Sequence, residues 1–121
     1  MLVEFTVSNY RSISAPVTFS AVASAAATKQ PGITFETHNS LAPEVLTSAV
    51  VFGPNASGKS SLFNAVDFFV EFVSNSAKQG SQGDEISFPQ NKVSPECRDT
   101  PTTLEMVFSH DGEVFQYGFS L

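Results

Sequence analysis

Basic residues are scarce in this sequence. Lys and Arg number 6 against 12 Asp and Glu, giving a formal net charge of −6. Gripping a nucleic-acid backbone takes clustered Lys and Arg, and no such cluster occurs, so this stretch offers no nucleic-acid surface. Cysteine occurs once, at Cys97, which excludes an internal disulfide and fits a reducing cytoplasm. Without a neighbouring His or second thiol, Cys97 reads as an incidental side chain. His38 and His110 lack metal-ligand spacing and read as surface residues. No apolar run approaches the roughly 20 residues that a membrane-spanning helix needs. Met1-Leu2-Val3-Glu4-Phe5 carries no basic segment of the kind that opens a secretory signal. What remains is a globular chain of 121 residues, one domain or part of one.

Residues 53 to 60 stand out. Gly-Pro-Asn-Ala-Ser-Gly-Lys-Ser fits the phosphate-loop pattern G-x-x-x-x-G-K-[ST] at every fixed position. A chain this long would match by accident on the order of once in 200, so context must decide. Ser48 to Phe52 before the loop is an apolar run suited to a buried strand, and Leu62 to Phe69 after it suits a helix reaching about Lys78. Strand, glycine-bearing loop and helix is the order that the chemistry requires. A glycine- and serine-rich surface turn could spell the same letters without that order. A polyphosphate leaves water only if backbone N–H groups replace its hydrogen bonds, and side chains at Gly53 and Gly58 would obstruct that approach. The helix start adds unpaired N–H groups and the positive end of a dipole. Lys59 is expected to reach the β- and γ-phosphates and Ser60 to place its hydroxyl on Mg²⁺. Asn55, Ala56, Ser57 and Ser61 complete the expected set of contacts. The pattern predicts a nucleoside triphosphate site.

Polar positions from Leu62 to Val73 are confined to Asn64, Asp67 and Glu71, one narrow stripe, which predicts a helix buried on most sides. Phe63, Phe68, Phe69 and Phe72 are read as core. Leu2 to Ser8 alternates, with Val3, Phe5 and Val7 on one face, and Val17 to Ala21 alternates likewise. The two predict an antiparallel hairpin linked through Asn9-Tyr10-Arg11-Ser12. Residues 22 to 46 read as a loop-dominated excursion with a short strand at Ile33-Thr34-Phe35. Gln79 to Asp84 reads as a polar, mobile break, and Pro89 to Pro101 as irregular. Asp111-Gly112 is a two-residue hairpin turn. It sets His110 against Glu113, Phe108 against Phe115, Met106 against Tyr117 and Leu104 against Phe119.

The spelling Gly53-x-Asn55-x-Ser57-Gly58-Lys59-Ser60 resembles the loop of ABC-type ATPases. Ser8-Asn9-Tyr10-Arg11-Ser12 at the end of a first strand resembles the segment that opens SMC and RecF ATPase heads. Taken together the chain is similar to prokaryotic AAA-family ATPases with such a head, found in abortive-infection systems and beside overcoming-lysogenization-defect nucleases. The resemblance implies an α/β P-loop NTPase fold of ABC/SMC-head type, an N-terminal lobe with antiparallel β hairpins flanking a strand–loop–helix unit. It implies ATP and Mg²⁺ as cofactors and heads that dimerise around nucleotide. It also implies that Arg11 lies near the phosphates; an exposed arginine in a hairpin loop is the alternative.

Hydrolysis in that family needs a strand ending in Asp-Glu, and no apolar run here is followed by that pair. The family's signature motif is missing as well, and Ser81-Gln82-Gly83-Asp84 does not replace it. The expectation is an ATP-binding lobe, with no catalytic residue of its own, belonging to a larger ATPase or completed by another chain. Its expected role is anti-phage defence, with head closure controlling a nuclease or other effector. A DNA-repair ATPase head and a non-catalytic interaction module are the competing readings.

Overall fold

The computed structural model describes residues 1–26, 31–79 and 86–121. Of the break expected from Gln79 to Asp84, Gln79 is instead the last residue of the helix and the rest lies outside the described residues. Four strands form one antiparallel sheet in the order β2-β1-β5-β6: β1 (Leu2–Ser8), β2 (Val17–Ser20), β5 (Thr103–His110) and β6 (Glu113–Ser120). A two-stranded sheet pairs β3 (Thr34–Glu36) with β4 (Glu44–Leu46). Among the described residues one α-helix, α1 (Lys59–Gln79), lies between β4 and β5 in the chain.

The β5–β6 hairpin has the register that its turn dictates. Asp111 and Gly112 both take positive φ, 50° and 79°, as the two centre positions of a tight mirror-image turn require. His110 then meets Glu113, Phe108 meets Phe115, Met106 meets Tyr117 and Leu104 meets Phe119. Phe108 and Phe115 stack with centroids 5.5 Å apart. The β1–β2 hairpin forms as well, with Val7 against Val17 and Phe5 against Phe19.

One residue of β1 departs from the simple alternation. A bulge between Leu2 and Glu4 inserts Val3 as an extra residue against β5. The inserted residue breaks the period of two. Val3 therefore joins Ala42, Val45 and Val107 in a small second cluster, while Phe5 and Val7 belong to the main core. Val3, Phe5 and Val7 are all buried, as the alternation of a half-buried strand predicted, but the bulge takes Val3 off the face expected for all three.

The main core lies between the sheet and α1. Phe69 packs edge-on to Phe5 at 5.8 Å and stacks on Phe119 at 5.3 Å, and Phe72 sits 4.4 Å from Phe119. Phe68 meets Tyr10 at 5.9 Å. Burying one such ring stabilises the fold by about 1.5–3 kcal/mol. The reading of the phenylalanines as core holds for Phe68, Phe69 and Phe72 and fails for Phe63, which is 56% exposed. Val70 and Val73 are exposed too. The helix is thus covered on one side, not on most. An apolar circumference is buried only where a second layer covers it, and the described residues supply a sheet on one face alone.

The expected buried strand at Ser48 to Phe52 is also corrected. No ladder forms there, and Val50 and Phe52 are 82% and 86% exposed. Pairing of this part of the chain stops at Thr47, whose N–H donates to the Ile33 carbonyl. A central strand needs a neighbour to take its backbone groups. Among the described residues no strand runs alongside 48–52. The excursion from 22 to 46 contains the β3–β4 pair where one short strand was expected, one residue further on than Ile33-Thr34-Phe35. Residues 89 to 101 are irregular apart from a 3₁₀ turn at Pro95–Cys97.

Candidate functional site

The loop at 53–60 connects the exposed 48–52 segment to the first turn of α1. Gly58 takes φ +91° and Ala56 takes φ +61°. A left-handed alanine costs about 1 kcal/mol, and such backbone states persist where surroundings impose them. The loop curls tightly enough that a side chain on Gly53 would meet the Ser57 hydroxyl at 3.2 Å. The Leu62 N–H donates to the Gly58 carbonyl at 3.0 Å, which places Gly58 at the mouth of the helix. No acidic side chain stands in the first turn of α1, so the positive end of its dipole faces no carboxylate of its own turn.

Lys59 opens the helix and folds its side chain back over the loop. Its ammonium donates to the Gly53 and Pro54 carbonyls at 2.7 and 2.6 Å and to the Ser57 hydroxyl at 3.3 Å. The charge therefore sits over the curl of backbone. Pro54, Asn55, Ala56, Ser57 and Ser60 are exposed and reachable by a ligand. Ser61 differs: it is buried, and its hydroxyl is 2.6 Å from that of Ser12.

That contact brings the β1–β2 turn to the loop. Tyr10 and Ile13 exchange backbone hydrogen bonds of 2.9 and 2.8 Å, leaving Arg11 and Ser12 at the tip. Three anchors hold the turn. The buried Tyr10 donates its hydroxyl to the Asn64 carbonyl of α1 at 3.1 Å. The Arg11 N–H donates to the Pro89 carbonyl at 2.9 Å. The Asn9 carboxamide N–H groups donate to the carbonyls of Cys97 and Thr100, while the Asn9 backbone carbonyl accepts from Thr102 Oγ1. Asn9 and Arg11 are left-handed, at φ 52° and 49°. The Arg11 side chain is exposed, its guanidinium carbon 5.9 Å from the centre of the Tyr10 ring.

The predicted residues Gly53 and 55–61 thus lie together along the loop and the start of α1, and Arg11 stands on the neighbouring turn. Ser12 and Tyr10, which no loop motif contains, make the contacts between the two. Both belong to the Asn9-Tyr10-Arg11-Ser12 segment, from which the sequence singled out Arg11 alone. His38 and His110 are exposed, and Cys97 is buried and free. An apolar hollow lined by Met1, Leu2, Phe19, Ala21 and Leu46 contains none of the predicted site residues.

A family model described as "AAA domain, putative AbiEii toxin, Type IV TA system" matches residues 48–121. The chain belongs to this AAA family. No curated protein and no solved structure matches it. As an AAA domain it falls within the P-loop nucleoside triphosphatases, in agreement with the abortive-infection type of ATPase that the sequence resembles. The AAA match begins just before the loop and takes in α1, β5 and β6. It leaves out β1, β2 and the turn that fastens onto the helix start.

Proposed function

We propose that residues 53–61 bind ATP together with Mg²⁺, as the nucleotide-binding lobe of an ABC-like ATPase head. The observation that carries this reading is the left-handed curl at Ala56 and Gly58, running into α1 with the Lys59 ammonium folded over it. The residues fit a polyphosphate. Backbone N–H groups at a helix mouth favour an anion, and Lys59 is held by neutral carbonyls for which a phosphate oxygen is a stronger competitor. Ser60 would offer its hydroxyl to the metal. Among the described residues no group of three His, Cys, Asp or Glu side chains is placed to hold an ion. A magnesium ion at Ser60 would therefore take most of its oxygen ligands from phosphate and water.

Arg11 would approach the same phosphates from the adjoining turn by releasing the Tyr10 ring. Binding rather than turnover is the role proposed for these residues, because the Asp-Glu pair that activates water is not among them. The abortive-infection character of the family supports a setting in cytoplasmic anti-phage defence, with nucleotide-driven pairing of two heads controlling an effector such as a nuclease.

Titration of the protein with ATP and Mg²⁺, followed by calorimetry, tests the reading. Lys59→Ala is expected to weaken binding at least 100-fold, since it removes the one charge aimed over the loop. Equal affinity in wild type and variant, or no binding by wild type, overturns it.

A further inference from the structure

We infer that Ser12 is a positioning residue for the nucleotide loop, holding the loop–helix junction through the hydroxyl of Ser61. The inference rests on the nucleotide reading of residues 53–61. Three observations carry it. The Ser12 and Ser61 hydroxyls lie 2.6 Å apart although 49 residues separate them in the chain. Ser61 is 9% exposed and its hydroxyl finds a partner in the exposed Ser12, a half-buried contact. The Ser12 oxygen also stands 3.8 Å from the position a Cβ would occupy on Gly58, the left-handed residue at the helix mouth.

The tip carrying Ser12 is itself fixed. Tyr10 bonds the Asn64 carbonyl one turn along α1, and Arg11 is held left-handed with its N–H on Pro89. Strain of this kind survives when several contacts over-determine it, and it concentrates where a site must be pre-formed. Ser12 and Tyr10 thus grip α1 at Ser61 and Asn64, on either side of the Leu62 N–H that closes on Gly58. With its hydroxyl engaged by Ser12, Ser61 contributes to the loop through its backbone N–H, not through its side chain. The β1–β2 turn becomes one wall of the nucleotide site, although it lies outside the matched AAA region.

Two measurements on the full chain test this. First, affinity for ATP with Mg²⁺ is compared in wild type, Ser12→Ala, Ser12→Thr, Ser61→Ala and the Ser12→Ala/Ser61→Ala double variant. One half-buried hydrogen bond corresponds to about a fivefold loss in Ser12→Ala. Ser12→Thr is expected to retain affinity, and the double variant to bind no worse than Ser61→Ala alone, because the two hydroxyls act as one unit. Wild-type affinity in Ser12→Ala, or losses that multiply in the double variant, overturns the inference. Second, backbone hydrogen exchange is followed without nucleotide. Ser12→Ala is expected to speed exchange at 58–62 while leaving β5 and β6 unchanged; no change at 58–62, or a change spread over the whole sheet, also overturns it. If wild type fails to bind ATP, the nucleotide reading falls, and the exchange experiment still decides whether Ser12 holds the junction.

Discussion

Asn9 shows how much one side chain can hold. It is buried and left-handed, and its carboxamide donates to two carbonyls of the 97–100 segment while its backbone carbonyl accepts from Thr102. Asn9→Ala is expected to destabilise the protein by about 3 kcal/mol, combining unpaired buried carbonyls with a left-handed alanine. Asn9→Gly keeps the backbone relaxed and should recover about 1 kcal/mol of that loss. Urea unfolding midpoints of the two variants separate the contributions. At this scale the sequence was informative about the loop and silent about its supports. Gly58 and Lys59 announce themselves because their chemistry is local. Ser12, Tyr10 and Asn9 act across 49, 54 and 88 residues or more, and nothing in their immediate neighbours encodes the contact.

Among the elements, α1 and the β5–β6 hairpin make the most instructive pair. The hairpin was legible down to each cross-strand partner, because Asp111-Gly112 fixes a register that Leu104, Met106 and Phe108 then satisfy against Phe119, Tyr117 and Phe115. The helix was legible in position but not in burial. Its phenylalanines look alike in sequence, yet Phe69 is nearly inaccessible and Phe63 is mostly exposed. Phe69→Ala should cost about 3–5 kcal/mol, since it empties the contact with Phe5 and Phe119. Phe63→Ala should cost less than about 1 kcal/mol. Thermal unfolding of both variants checks the difference, and similar losses would mean that a second layer covers α1. The bulge at Val3 escaped sequence reasoning for a related reason: an inserted residue has no signature when both neighbours also suit a strand.

For the molecule as a whole, the unpaired apolar run at 48–52 weighs most. Hydrophobicity and length recommended it as an interior strand, but those properties report what a segment can bury, not whether anything is there to cover it. Its exposure predicts that Phe52→Ser leaves the unfolding midpoint within about 0.5 kcal/mol of wild type while raising solubility. A large loss of stability would show instead that the segment is packed in solution. No helix among the described residues is long and apolar enough to cross a membrane.

Among the described residues the sheet ends on β6, and no strand pairs with its outer margin. Thr102 and Leu121 exchange both backbone hydrogen bonds, and the alternating ladder carries that pairing to Phe119, Tyr117, Phe115 and Glu113. Odd-numbered amides of this ribbon turn inward, and those of Val114, Gln116, Gly118 and Ser120 turn out. A paramagnetic relaxation agent dissolved in the buffer should therefore broaden every second resonance along β6, and an uninterrupted run of quenched or of spared signals would mean that the margin is not bare.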